Sequence, residues 1–370
     1  MLFRSLQPDK QLFGVTLALC LIGAVMVFSA SAMTASEQFG AGYIFLLRQL
    51  IYVVLGIAGM FWLMNMDYHR LRQPRVVFTG LAVTFVLLVG VFFLDRSHQT
   101  HRWFRMGPLS FQPSEMAKLA LIVYLAWLLE LRRLPRNFGV NDPLHTLAPA
   151  MGATLMMAAL VVKEPDMGTA FMIMVIAVAM LFVAGLSLKY IGGTVLAAIP
   201  TIYLLIVRVP YRLQRIAAFR HPELDPKGAG FQLLQSLISV GSGGMSGVGL
   251  MESRQKLFFL PEAHTDFIYA IICEEIGFIG AVIVLGLFAV YGWRGFVAAI
   301  KAPDDFGKFL GLGITTMVVG QALINLSVVL GLMPTKGIPL PFISYGGSSL
   351  FSMLLATGVL LNISQHADET

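Results

Sequence analysis

The residues best suited to chemistry crowd into one short segment, Gln255-Lys-Leu-Phe-Phe-Leu-Pro-Glu-Ala-His-Thr-Asp266, of this 370-residue chain. Glu262, His264 and Asp266 fall within five residues of one another, directly before a long apolar run that begins at Phe267. Two readings of that spacing stand side by side. In one, Thr265 or Asp266 caps the coming helix, because short oxygen-bearing side chains accept the orphan N–H groups of a first turn. In the other, Thr265 caps and Asp266 sits in the first turn, where the helix dipole tolerates a carboxylate. There it accepts a proton from a hydroxyl or holds a divalent cation such as magnesium or manganese. Spacing alone does not choose between cap and catalyst.

Other charged residues gather near apolar boundaries. Arg102-Trp-Phe-Arg105 pairs cations with aromatics, as an interfacial anchor or as a surface that stacks on a sugar. Gln112-Pro-Ser-Glu-Met-Ala-Lys118 opens an apolar run, with Pro113 suited to a first-turn position. Glu115 and Lys118 then share a helix face at i, i+3, as a self-contained ion pair or with the lysine turned to a ligand phosphate. Lys163-Glu-Pro-Asp166 brings a further carboxylate to a short loop, and Arg48 begins another apolar run. Glu274 and Glu275 lie about two turns beyond Asp266, inside the apolar run, and are either functional or paired with a neighbouring helix.

The elements that must position these residues are membrane helices. The chain is 57% hydrophobic and 12% charged, against about 25% charged for a soluble domain. Ten stretches approach the roughly 20 apolar residues that cross a bilayer. They run approximately 12–31, 47–66, 76–94, 114–131, 147–162, 169–186, 190–207, 267–291, 309–332 and 344–361. The expected fold is therefore all-α and polytopic, a single integral-membrane unit over 1–370, with one long loop at 208–265 between helices 7 and 8. The first apolar stretch is too long for a signal peptide and is expected to be retained.

Basic residues in short loops set the orientation. Lys10, Arg70, Arg72, Arg75, Arg132, Arg133, Arg136, Lys189, Arg294, Lys301 and Lys308 share one side, which places both termini in the cytoplasm and Asp266 outside. Two outer segments break the pattern: 95–110, with Arg96, His98 and His101 beside the Arg102 pair, and the basic loop 208–265. Cations kept on that side point to an anionic ligand or make a merely solvated basic loop. The net charge of +6 is spread among loops between apolar runs, which fits topology and anionic lipid rather than nucleic acid.

Several patterns are excluded. The glycines of Val240-Gly-Ser-Gly-Gly-Met-Ser-Gly-Val-Gly249 follow no strand and lack a trailing Lys-Ser/Thr, so they make a tight or flexible loop rather than a nucleotide site. Cys20 and Cys273 lie in apolar runs and suit neither a disulfide nor a metal. Pro334-Thr-Lys-Gly-Ile-Pro-Leu-Pro341 with Ser344-Tyr-Gly-Gly-Ser-Ser349 is a broken-helix approach to the last run, stable only where protein buries it.

Taken in order, Arg102-Trp103, Phe111–Lys118, Glu164-Pro-Asp-Met-Gly-Thr169, Gly228–Ser236, Gly241–Gly244, Leu260–Phe267 and Pro341–Ser348 resemble the SEDS family of FtsW and RodA peptidoglycan polymerases. The resemblance covers nearly the whole chain. It implies a processive, inverting glycosyltransferase in the bacterial inner membrane that polymerises lipid II and releases undecaprenyl diphosphate. It implies Asp266 as the essential aspartate, as base or metal ligand, and Arg48, Arg102, Lys118 and Asp166 as cavity-lining residues. Trp103, Glu115, His264 and Thr265 are carried as further substrate contacts. It implies a class B penicillin-binding protein as partner, with other elongation or division proteins, no nucleic acid and no organic cofactor. Pro334-Thr-Lys-Gly337 and Gln255-Lys-Leu257 lean towards the division branch, and the short termini towards the elongation branch. His98-Gln-Thr-His101 departs from the residues usual before the Arg-Trp pair. The rival class is a lipid flippase or transporter without covalent chemistry, and a third is a scaffold for the transpeptidase.

Overall fold

The computed structural model describes residues 7–94, 102–106, 109–133, 139–225, 228, 230–257 and 259–367. His98 and His101, with Arg96, Arg136 and Lys227, lie outside the described residues. The helices are α1 (Lys10–Phe39), α2 (Ile44–Met64), α3 (Pro74–Leu94), α4 (Pro113–Arg133), α5 (Ala148–Lys163), α6 (Met167–Val183) and α7 (Leu188–Val207). After them come α8 (Pro210–Arg220), α9 (Phe231–Ser242), α10 (Ile268–Ile300), α11 (Asp305–Val329) and α12 (Gly347–His366). Each of the ten expected stretches coincides with one helix, α1 to α7 and α10 to α12. Among the described residues seven helical segments are long and apolar enough to cross a bilayer, and α6 is a shorter apolar helix. The fold is an all-α polytopic membrane fold.

Three features were not expected from the sequence. The segment 208–265 is not an open loop, because α8 and α9 lie within it. A two-stranded antiparallel ribbon, β1 (Phe104–Met106) and β2 (Leu109–Phe111), pairs Phe104 with Phe111 and precedes α4. The third is a break inside α10 at Gly277, where φ is 74° and ψ is −164°.

That break explains the glycine-rich segment. Where a membrane helix is interrupted, its freed backbone groups need new partners, since lipid offers none. Residues 243–249 supply them. Val248 and Gly249 donate N–H groups to the carbonyls of Glu274 and Glu275 at 2.9 and 3.1 Å, and Phe278 and Ile279 donate back to Gly244 and Met245 at 2.9 and 3.2 Å. The approach is close enough that a Cβ on Gly247 would lie 2.1 Å from the Glu275 carbonyl oxygen.

Glu274 and Glu275 complete the joint. The Glu275 carboxylate accepts from Ser29 of α1 at 2.6 Å and from Lys256 at 2.9 Å. That of Glu274 accepts from Ser239 of α9, the Ser253 hydroxyl and the Arg254 N–H at 3.1, 2.5 and 3.0 Å. These acids are structural ties, the paired alternative of the two open readings.

The segment between α11 and α12 is the other irregular stretch, and it runs deep. Ile338, Leu340, Phe342 and Ile343 are buried, and the Phe342 carbonyl oxygen sits 2.5 Å from where a Cβ on Gly23, mid-way along α1, would be. Protein side chains satisfy several of its carbonyls. Asn325 donates to the Ile338 carbonyl at 2.7 Å, Gln321 to Pro339 at 2.9 Å, and Gln49 to Ser344 at 3.2 Å.

Replacing Gly247 by alanine is expected to destabilise the protein by more than the roughly 1–2 kcal/mol that a left-handed conformation alone takes from an L-residue, because φ there is 81° and the added methyl meets backbone. Thermal unfolding of the purified variant in detergent measures it; an unchanged midpoint would contradict the docking of this segment into α10.

Candidate active site

Asp266 lies just before α10, and the structure corrects the cap reading of its neighbourhood. The N-cap position of α10 is Phe267, with no side-chain cap. The Thr265 hydroxyl donates instead to the Glu262 carboxylate at 2.8 Å. The loop turns through Glu262, whose φ is 55°, and both Thr265 and Phe267 donate N–H groups to the Glu262 carbonyl. With neither residue capping the helix, the Asp266 carboxylate is left available for other work.

The deep segment holds this loop from below. Asn325 of α11 donates one amide to both the Asp266 carbonyl, at 2.7 Å, and the Ile338 carbonyl. Ser344 donates to the Thr265 carbonyl at 2.6 Å and accepts from the Leu340 N–H, while the Tyr345 N–H donates to the His264 carbonyl at 3.0 Å. Gly337 lies against the carboxylate itself: a Cβ there would sit 3.1 Å from Asp266 Oδ2.

The electrostatics tune that carboxylate towards neutrality. Burial, with the nearby charges of Glu262 and Asp166, pushes Asp266 up to about 7, while Arg102 and Arg215 pull it down. Asp266 nevertheless keeps partial solvent access. A carboxyl group that titrates near the working pH and can be reached is the form of acid a general base requires. Glu164 is fully buried, and burial together with Asp166 pushes it up to about 8.

The other expected site residues separate into distinct groups. Arg102 donates its Nε to the Glu164 carbonyl at 2.7 Å and a second N–H to the Pro165 carbonyl, so it clasps the loop between α5 and α6 beside the site. Trp103 follows it, half-buried, at the start of the ribbon. Asp166 is the N-cap of α6: it accepts from the Thr169 N–H and hydroxyl at 3.0 and 2.8 Å and from Gln112 at 3.1 Å. It therefore acts on Asp266 through its charge while serving the fold.

Arg48 lies over Phe39, and its charge acts on the nearby Tyr345 phenol. His264 packs against Phe45 and Tyr345 at ring separations of 4.9 and 5.7 Å, and burial holds it below the usual histidine range. It is therefore a neutral wall rather than a cation.

Lys118 is 1% exposed, and its ammonium donates to Glu115 at 3.0 Å and Gln321 at 2.6 Å. Both sequence alternatives had this pair on one face. The structure shows the paired arrangement, with Gln321 linking it to the deep segment.

Four residues that position or tune Asp266 were not singled out from the sequence. Arg215 of α8 donates to the Thr335 carbonyl at 3.2 Å and exerts its charge on Asp266. Asn325, Gly337 and Ser344 are the others. The basic character of 208–265 pointed to Arg215 as one cation among several; a lone amide or glycine carries no chemical pattern.

Among the described residues no three His, Cys, Asp or Glu side chains gather as a metal site.

The helices, with a partly accessible carboxylate at one end of the bundle, define a polytopic membrane protein. The chain belongs to the FtsW/RodA/SpoVE family of cell cycle proteins, whose pattern matches residues 10–369. It is 41% identical to the probable peptidoglycan glycosyltransferase FtsW of Trichlorobacter lovleyi, over 98% of this chain and 94% of that one. It is 40% identical to the stage V sporulation protein E of Bacillus subtilis, over 98% and 99%. Among solved structures, the rod shape determining protein RodA of Thermus thermophilus is similar with a TM-score of 0.70 at 27% identity, over 98% of this chain and 97% of that one. A chain of a peptidoglycan synthase complex that coordinates polymerization and crosslinking is similar with a TM-score of 0.79 at 30% identity, over 98% and 99%.

Lys118→Met is expected to destabilise the fold by about 3–5 kcal/mol, the usual result of stranding one partner of a buried ion pair. The double variant Glu115→Gln/Lys118→Met should recover most of that loss in thermal unfolding. Recovery of stability without recovery of activity would show that the pair also serves the reaction.

Proposed function

We propose that this chain is a peptidoglycan glycosyltransferase that polymerises lipid II on the outer face of the bacterial inner membrane. The observation that carries the reading is Asp266, a tuned carboxylate held open at the end of a membrane bundle in a family whose relatives include named peptidoglycan glycosyltransferases. The acceptor sugar hydroxyl gives its proton to the Asp266 carboxylate as its oxygen forms a bond to the anomeric carbon of the growing strand. The bond from that carbon to the diphosphate breaks on the opposite face, so the centre inverts, and the diphosphate leaves with the electron pair. Arg102 and Arg215 place positive charge where the leaving group becomes more negative; such preorganised charge lowers the barrier without reorganising. A divalent cation, if bound, would accompany the diphosphate and offset part of its charge.

The topology follows from charge. Lys10, Arg70, Arg72, Arg75, Arg132, Arg133, Lys189, Arg294, Lys301 and Lys308 lie at the end of the bundle opposite Asp266, which supports cytoplasmic termini and an extracytoplasmic site. The similar chain from a peptidoglycan synthase complex supports a transpeptidase of the penicillin-binding class as partner.

Asp266→Asn is expected to abolish polymer formation from purified lipid II, read on a gel, while thermal unfolding and partner binding stay normal; a polymerising variant would remove the catalytic assignment. Because the base must be unprotonated, turnover should rise with pH and reach half its plateau near 7, where Asp266 titrates. Arg102→Gln removes a charge that lowers that midpoint, so its limb should lie at higher pH. A limb that stays in place would argue against the electrostatic link.

A further inference from the structure

The end of the bundle opposite Asp266 holds a cavity of about 410 Å³, where the start of α1 meets the last turns of α10 and α12. Its charged lining is Asp9, Lys10, Arg294 and Lys301. The one acid is already committed. Asp9 Oδ1 accepts from the Gln11 and Leu12 N–H groups, capping α1, and Oδ2 accepts from Arg294 Nε at 2.7 Å. The Asp9 N–H donates to the Ser364 hydroxyl at 3.1 Å, so the wall is fixed to α12 as well. Lys10 and Lys301 are exposed and have no ion-pair partner among the described residues. Once Asp9 and Arg294 cancel, these two ammonium groups leave the cavity with an excess of positive charge among the described residues.

The cavity also sits where a headgroup would. It lies at the boundary between spanning helices and water, at the end of the bundle that carries the clustered basic residues. Lysines at that depth draw anionic phosphate by about 1 kcal/mol each, close to fivefold in affinity. We infer that this cavity binds the phosphate headgroup of an anionic phospholipid, far from the site at Asp266. Lys301 is also the C-cap residue of α10, where a cation offsets the helix dipole; that service alone would hold no lipid.

The test uses the purified full-length protein, stripped of lipid in detergent and titrated with phosphatidylglycerol, phosphatidylethanolamine of the same chains, or inorganic phosphate. Native mass spectrometry counts the molecules retained. The wild type should hold one phosphatidylglycerol more tightly than Lys10→Gln/Lys301→Gln does, by about 25-fold at fivefold per lysine. Phosphatidylethanolamine should be held equally by both. Both lysines are exposed, and an unchanged unfolding midpoint confirms that the variant is folded; if it is not, Lys301→Gln alone should show about a fivefold loss. Equal retention of phosphatidylglycerol by wild type and variant would overturn the inference. Displacement of the lipid by millimolar inorganic phosphate would overturn it too, assigning the cavity to a free phosphate.

Discussion

Everything at the Asp266 end depends on one side chain that holds two pieces of irregular backbone together. The Asn325 amide donates both to the carbonyl of Asp266 and to that of Ile338. Backbone outside a helix survives at membrane depth only when protein groups satisfy it. Asn325, with Gln321, Gln49 and Ser344, does so for the segment before α12, and the same contacts set where the acid points. Position of the acid and satisfaction of the backbone are thus a single constraint. The left-handed conformations of Glu262 and Phe342, unfavourable for residues with a Cβ, sit on the two sides of this joint and persist because the contacts around them leave no alternative.

The electrostatics rest on the same frame. Asp166 is fixed by capping α6 and Arg102 by clasping the loop that precedes it, so both charges act on Asp266 from positions the fold has already determined. Arg215 comes from the other direction, on α8, and is attached through the Thr335 carbonyl of the deep segment. The acid near neutrality is therefore a balance among elements that meet only in the assembled bundle.

That balance explains what was legible in the sequence. Hydropathy located all ten long helices, because lipid imposes a length and a composition that short windows can detect. The resemblance in ordered motifs identified the family, and charge near Asp266 marked the region of the candidate site. Sequence left open whether Glu115 and Lys118, or Glu274 and Glu275, were paired or functional, since a pairing partner 20 or 200 residues away carries no local mark. Gln321 and Ser29 are such partners. The helix break at Gly277 and the segment that fills it were hidden for a similar reason: one is a single glycine and the other a glycine-rich run, and the purpose of each exists only in the other.

The tie between Ser29, Lys256 and Glu275 has a consequence for biogenesis. Both charged groups are nearly inaccessible, and a hydroxyl from the first helix completes their shell. Most of the chain must be synthesised before Lys256 and Glu275 emerge, so α1 has to wait in the membrane with Ser29 unmatched. The segment carrying Lys256 cannot lock until α10 has been inserted and has closed on α1. Closure of this joint is therefore a late step, and a nascent chain stalled before residue 275 would hold its first helix in the bilayer without it.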